Sequence, residues 1–229
     1  MHVPDGFFDV TTSIATGAVA VGGIALALRG ARRELDDRTA PLAGLTAVFV
    51  FAGQMVNFPV GAGTSGHLVG GALAALLVGP WTATLCISVV LIVQALLFAD
   101  GGLTALGTNI TLLALVAVWA AWWSFRALSA LIPRRLVVLP PLAFVAGLVS
   151  VPVAALVFTA LFMVGGAAPL DASTVLTAMV GWHTVIGLGE GVITALVVSS
   201  VLAVRPDLVH AARLYRADTE LEIRTGVPA

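Results

Sequence analysis

Apolar residues in this chain fall into long runs, without the alternation of a strand or the half-polar stripe of a soluble helix. The runs are Thr11–Leu28, Pro41–Asn57, His67–Val78, Trp81–Phe98, Asn109–Ala130, Leu136–Val164 and Ser173–Val204. A helix needs about 20 apolar residues to cross the hydrocarbon core of a bilayer. The pattern therefore predicts an all-α polytopic membrane protein with about seven transmembrane helices. The third run is short. It begins inside the Gly-rich loop before it, or it is a half-span completed by non-helical backbone. Such backbone is tolerated at membrane depth only where protein buries it or it lines a cavity.

Composition agrees. Of 229 residues, 59% are hydrophobic and 10% are charged, against about 25% charged in soluble domains. Basic residues number 11 against 12 acidic, and no basic, aromatic-interleaved patch exists to neutralise phosphates, which argues against nucleic-acid binding. Cys86 stands alone in an apolar run, so a disulfide-stapled fold is excluded. All 11 basic residues are arginines. The segments Met1–Val10, Asn57–Gly66, Ala99–Thr108 and Gly165–Ala172 contain none of them. By the positive-inside rule these face outward, which places the N-terminus outside and the C-terminus in the cytoplasm. Residues 1–204 then read as one transmembrane domain that opens with a short segment ahead of the first span (1–10), and 205–229 as a cytoplasmic tail. No GxxxxGK[ST] stretch occurs, so any ATP used in transport is expected on another subunit. The opening lacks the positive n-region of a signal peptide, and the expectation is that Met1 is retained on the outer face.

Four histidines are candidates for chemistry: His2, His67, His183 and His210. His210, in the tail, reads as solvated. The Met1 amine and the His2 amide nitrogen close a five-membered chelate ring on a metal, and that amide with the His2 imidazole Nδ1 closes a six-membered one. Three in-plane nitrogens suit Ni(II) or Cu(II) better than tetrahedral zinc. The competing reading is a flexible terminus with an incidental histidine. His67 ends an outer loop and opens the third run, on the same side as the N-terminus, so its imidazole can fill the fourth position. Asn57, Thr64 and Ser65 are candidates to orient that imidazole by hydrogen bonds. Alternatively, Thr64 and Ser65 cap a helix and His67 faces interfacial water.

His183 and Glu190 lie seven residues apart, two helical turns, on one face of the last run. Ionisable residues inside a span default to a functional reading. A structural or coupling role is favoured for this pair over metal ligation. Gln54 and Gln94 read as cross-helix hydrogen-bonding residues, Asp100 as a turn residue, and Asp5, Asp9, Asp100 and Asp171 as an outer electrostatic bias.

The opening Met1-His2-Val3-Pro4-Asp5-Gly6-Phe7 resembles the start of the nickel/cobalt substrate-binding subunits of energy-coupling factor transporters, the CbiM/NikM family. The segment Asn57–Leu77, the Gly79-Pro80-Trp81 turn, Val93–Leu106 and His183–Glu190 continue the resemblance. The stretch Thr108–Leu112 departs from it, with fewer Asn and Met residues. The resemblance implies a seven-helix fold and a square-planar nitrogen site at Met1, His2 and His67. It also implies a transmembrane coupling (T) subunit, a pair of cytoplasmic ATPases and often a small accessory membrane subunit, in a prokaryotic plasma membrane. Ni2+ or Co2+ would be the transported substrate, and the chain would be no enzyme. The alternatives are a membrane subunit that binds an organic ligand and, third, an intramembrane hydrolase using His183 and Glu190.

Overall fold

Helix α1 (Val10–Ala31) starts where Asp9 caps it, its carboxylate accepting the Thr12 N–H at 2.7 Å. It is followed by α2 (Thr39–Gln54), a two-stranded hairpin of β1 (Phe58–Gly61) and β2 (Thr64–Gly66), α3 (Gly71–Val78), α4 (Pro80–Leu97), α5 (Leu106–Leu131), α6 (Leu139–Gly165) and α7 (Ala172–Val204). The computed structural model describes residues 1–37, 39–61, 64–133 and 135–215, with Thr64 described in its backbone alone. Five of these helical segments are long and apolar enough to cross a membrane, and α2 is a shorter apolar helix.

The fold is inside-out relative to a soluble protein. Large apolar side chains such as Leu45, Leu131, Val164 and Leu196 are exposed on the bundle surface. Gln54, Gln94, Asn109, His183, Glu190 and Thr194 are buried. Apolar surface toward lipid and polar groups toward the interior is the arrangement a bilayer imposes.

The third run resolves as a half-span. Helix α3 has 8 residues, every one buried, and at 1.5 Å per residue it covers about 12 Å of a core about 30 Å thick. Above it, residues 67–70 are non-helical, as the bilayer permits only inside protein. Gly70 makes the entry into α3 possible: its φ is +76°, and a Cβ there would stand 2.7 Å from Val50. Residues 1–9, which carry no helix, bring Met1, Val3, Phe7 and Phe8 into the same buried core as α3.

Several boundaries differ from the sequence pattern. The second run ends as helix at Gln54, three residues before Asn57, because the chain turns into the hairpin. That hairpin pairs Phe58 with Gly66 and Pro59 with Ser65, with an irregularity between Pro59 and Gly61. In α5, residues Ile110–Ala117 take a π-helical path, a feature that apolar periodicity does not signal. Helix α6 contains Pro152, which cannot donate to the Leu148 carbonyl one turn earlier. That carbonyl meets Gly187 of α7, where a Cβ would come within 2.8 Å of it. The bare glycine thus lets α6 and α7, the most extensively packed helix pair, close over the proline.

At the other end of the bundle, residues 206–215 fold back. Val209, Ala211 and Ala212 are buried, His210 packs on Trp122 with ring centroids 5.4 Å apart, and Tyr215 hydrogen-bonds Ser129. His210 is therefore packed where the sequence suggested solvation, because these apolar neighbours carry it under α3 and α5. Residues 216–229 of the tail lie outside the described residues. In the α1–α2 connection, Glu34 accepts from the Trp81 and Thr82 N–H groups at the start of α4. Burial pushes its carboxyl above the ordinary range despite those donors.

Candidate metal centre

The N-terminal segment is held at three levels. Phe7 and Phe8 pack among Phe158 and Phe162, the Phe7 carbonyl accepts the Ala167 N–H at 2.9 Å, and the Asp9 N–H donates to Gly165 at 2.8 Å. At the exposed surface, the Asp5 carboxylate accepts from the Thr104 N–H and hydroxyl. Deepest, Asn109 grips Val3 twice. Its amide oxygen accepts the Val3 N–H at 2.7 Å, and its Nδ2 donates to the Val3 carbonyl at 3.2 Å. The same carbonyl accepts the Gly102 N–H at 2.8 Å. Met1 and Val3 are fully buried in consequence, and His2 nearly so.

This insertion brings His2 against His67. Their rings stack with centroids 4.3 Å apart and planes inclined by 28°. His67 Nδ1 donates to the Leu68 carbonyl at 2.8 Å, which leaves Nε2 as the free nitrogen, buried and without a partner. An imidazole whose second nitrogen is tied to a carbonyl is oriented as metal-binding histidines are. His2 Nδ1 lies 2.9 Å from Asp100 Oδ1, and its Nε2 is unpartnered. The chelate read from the sequence uses Nδ1, so a half-turn of the ring about Cβ–Cγ, or release of Asp100, has to precede it.

Electrostatics favour donors over cations here. Burial pushes the Met1 amine down to about 4, against the opposing pull of Asp100. Burial likewise lowers His2, and the Asp100 hydrogen bond only partly offsets it. Both groups are therefore neutral near pH 7, with lone pairs available. Burial acts to raise the Asp100 carboxyl, but the His2 hydrogen bond and the neighbouring charges outweigh it and hold it below its ordinary value. Among the described residues, no group of three or more His, Cys, Asp or Glu side chains is assembled to hold a metal. A nitrogen site here must draw on two imidazoles and the main chain.

The supporting residues are placed differently from one another. Asn57 donates to Asp100 Oδ2 at 3.4 Å, so it acts on the carboxylate beside His2 and not on His67. Ser65 lines an outer cleft of about 450 Å3 together with His2, Asp5, Asn57 and Asp100. The Thr64 side chain lies outside the described residues. His183 is fully buried, its Nδ1 donating to the Met179 carbonyl at 2.7 Å, and its charge would act on His67 and the Met1 amine. Glu190 Oε2 accepts the Val69 N–H at 2.8 Å, two residues beyond His67. A larger hollow of about 680 Å3 along the outer part of α7, beside Thr177 and Trp182, touches none of the imidazoles.

Sequence reasoning missed two contributors. Asn109 appeared only as the first residue of an apolar run, and Asp100 only as a turn residue and one of four outer charges. The signal for Asn109 was its side-chain amide at the head of an apolar run, where such a group needs partners. Asp100 gave no comparable signal, since an Asp-Gly-Gly turn explains itself locally.

The chain matches the family model described as the cobalt uptake substrate-specific transmembrane region over residues 2–208. It is 41% identical to a putative metal transport protein of Haloquadratum walsbyi, covering 91% of this chain and 93% of that one. A cobalt transport protein, CbiM, of Sorangium cellulosum is 34% identical over 94% of this chain and 97% of its own length. A putative fused nickel transport protein, NikMN, of Archaeoglobus fulgidus is 39% identical over 92% of this chain and 68% of its own. The crystal structure of a truncated transition metal transporter superposes with a TM-score of 0.82 at 29% identity, covering 89% of this chain and 99% of that one.

Proposed function

The chain belongs to the cobalt uptake substrate-specific transmembrane family, and from that membership we propose that it captures Ni2+ or Co2+ at Met1, His2 and His67 for ATP-driven uptake. It is a multi-pass membrane protein of metal transport, not an enzyme, and in a prokaryote its place is the cell membrane. In this reading four nitrogens enclose the ion: the Met1 amine, the His2 amide and imidazole, and His67 Nε2. Binding displaces the His2 amide proton to solvent, which leaves the enclosed ion with one net positive charge. Asp100 stands beside His2 to balance it.

The observation that carries the reading is the stack of His2 on His67 at 4.3 Å beneath a threefold-anchored, buried N-terminal segment. The amine and the imidazoles, already neutral in a dry site, need lose no proton to bind a divalent ion, and only the His2 amide has to give one up. Similarity to proteins named as a putative fused nickel transport protein and a cobalt transport protein supports Ni2+ or Co2+ as the substrate, and the fused name supports further transport components. Delivery then requires a transmembrane coupling subunit and cytoplasmic ATPases, with a small accessory membrane subunit as a further partner. No observation favours an organic ligand.

Titration of the purified protein with Ni2+ tests the site. His67→Ala removes one of four donors and should weaken binding by well over tenfold. Equal affinity in wild type and variant would remove His67 from the site.

A further inference from the structure

Between His67 and the start of α3 the chain passes through Leu68, Val69 and Gly70, and several of its main-chain groups have buried partners. The Leu68 carbonyl accepts from His67 itself. The Val69 N–H donates to Glu190 Oε2 at 2.8 Å, and the Val69 carbonyl accepts from Gln54 Nε2 at 2.8 Å. Val69, Gln54 and Glu190 are all buried. Glu190 also faces the N–H groups of Gly70, Gly71 and Ala72, the first turn of α3. A carboxylate there sits at the positive end of the half-helix and meets donors that have no intrahelical partner.

The two gripping residues come from opposite sides. Gln54 is the last residue of α2, and Glu190 is in the middle of α7. These helices make little direct contact with each other. Between them lies an apolar groove of about 480 Å3 that reaches His67, Leu68 and Glu190. Val69 is thus a bridge: α2 holds its carbonyl and α7 holds its N–H, two residues from the imidazole that stacks on His2.

We propose that Glu190 and Gln54 are positioning residues for His67, fixing its imidazole for the metal by clamping Val69 from two helices, so that separation of α2 from α7 frees the ligand. This rests on the metal-capture reading above. It gives Glu190 a definite task, in place of direct ligation or a general structural role. It also supplies a route by which a partner that shifts one helix could loosen the ion without entering the site.

The test compares wild type, Glu190→Ala, Glu190→Gln and Gln54→Leu in detergent, each loaded with Ni2+. The rate of Ni2+ loss to excess chelator and the visible absorption band of the bound ion are measured beside the metal-free melting temperature. Glu190→Ala and Gln54→Leu should release Ni2+ about tenfold faster or more and shift the band. Glu190→Gln keeps one acceptor for Val69 and should fall between them and wild type. If Glu190→Ala does not fold, the uncharged exchange Gln54→Leu carries the same expectation. Lower melting temperatures with wild-type release rates and an unshifted band would overturn the proposal and leave the pair purely structural. A wild type that holds no Ni2+ would overturn the capture reading itself, which is a different result from variants that behave as wild type.

Discussion

Asn109 holds Val3 at both main-chain groups, with its oxygen 2.7 Å from the N–H and its nitrogen 3.2 Å from the carbonyl. One side chain thereby imitates a strand partner for the segment that ends in the candidate ligands. Asn109→Leu would keep the volume but leave the Val3 N–H buried and unpaired, at a cost of about 1–3 kcal/mol. We expect Ni2+ affinity to fall roughly tenfold, and the Val3 amide to exchange its hydrogen faster, as hydrogen-exchange mass spectrometry of residues 1–9 would show. Unchanged exchange and affinity would mean that the Phe7–Phe8 anchor suffices.

Asp100 places a carboxylate on His2 at the rim of the outer cleft. Asp100→Asn preserves shape and removes the charge that would balance the ion in the proposed site. Metal affinity should drop about tenfold, and the association rate should depend less on ionic strength, because one of the carboxylates whose attraction salt screens is gone. Stopped-flow mixing at low and high salt reads both. A variant as salt-sensitive as wild type would place the steering charge elsewhere.

Gly70 combines a φ of +76° with a Cβ direction aimed at Val50, 2.7 Å away. Gly70→Ala should therefore destabilise the protein by about 2 kcal/mol or more, from left-handed strain and overpacking together. Thermal unfolding in detergent measures this, and a melting temperature equal to wild type would show that the 67–70 link can rearrange cheaply.

Much of this was legible in the sequence because a bilayer writes strong signals. Long apolar runs mark α1, α4, α6 and α7, and the shortness of His67–Val78 left two readings open, of which the half-span is the one α3 takes. His2 stood out because it can chelate together with the Met1 amine, and His67 because it follows a Gly-rich loop at the start of a run, although each also had a bland reading. Other features were hidden because they depend on contacts between distant segments. Asn109 on Val3, Asp100 on His2 and Glu190 on Val69 each join separate parts of the chain, and residue type alone does not name a partner. The β1–β2 hairpin escaped because its glycines and proline read as loop, while pairing is set by register. The burial of His210 escaped because the tail's apolar residues are few and their docking surface is assembled from α3 and α5.

In the proposed site, Met1 and His2 donate main-chain nitrogens to a transported ion. The most direct measurement is the metal content and absorption spectrum of the purified protein, with Met1 as its first residue and with one residue added before it. The account predicts about one equivalent of Ni2+ or Co2+ in the first form, with a planar-nitrogen spectrum for Ni2+, and loss of both in the second, since the extra peptide bond removes the amine's basicity and crowds a buried site. Equal metal content and an identical spectrum in the two forms would contradict it and return His2 to the role of an ordinary packed residue.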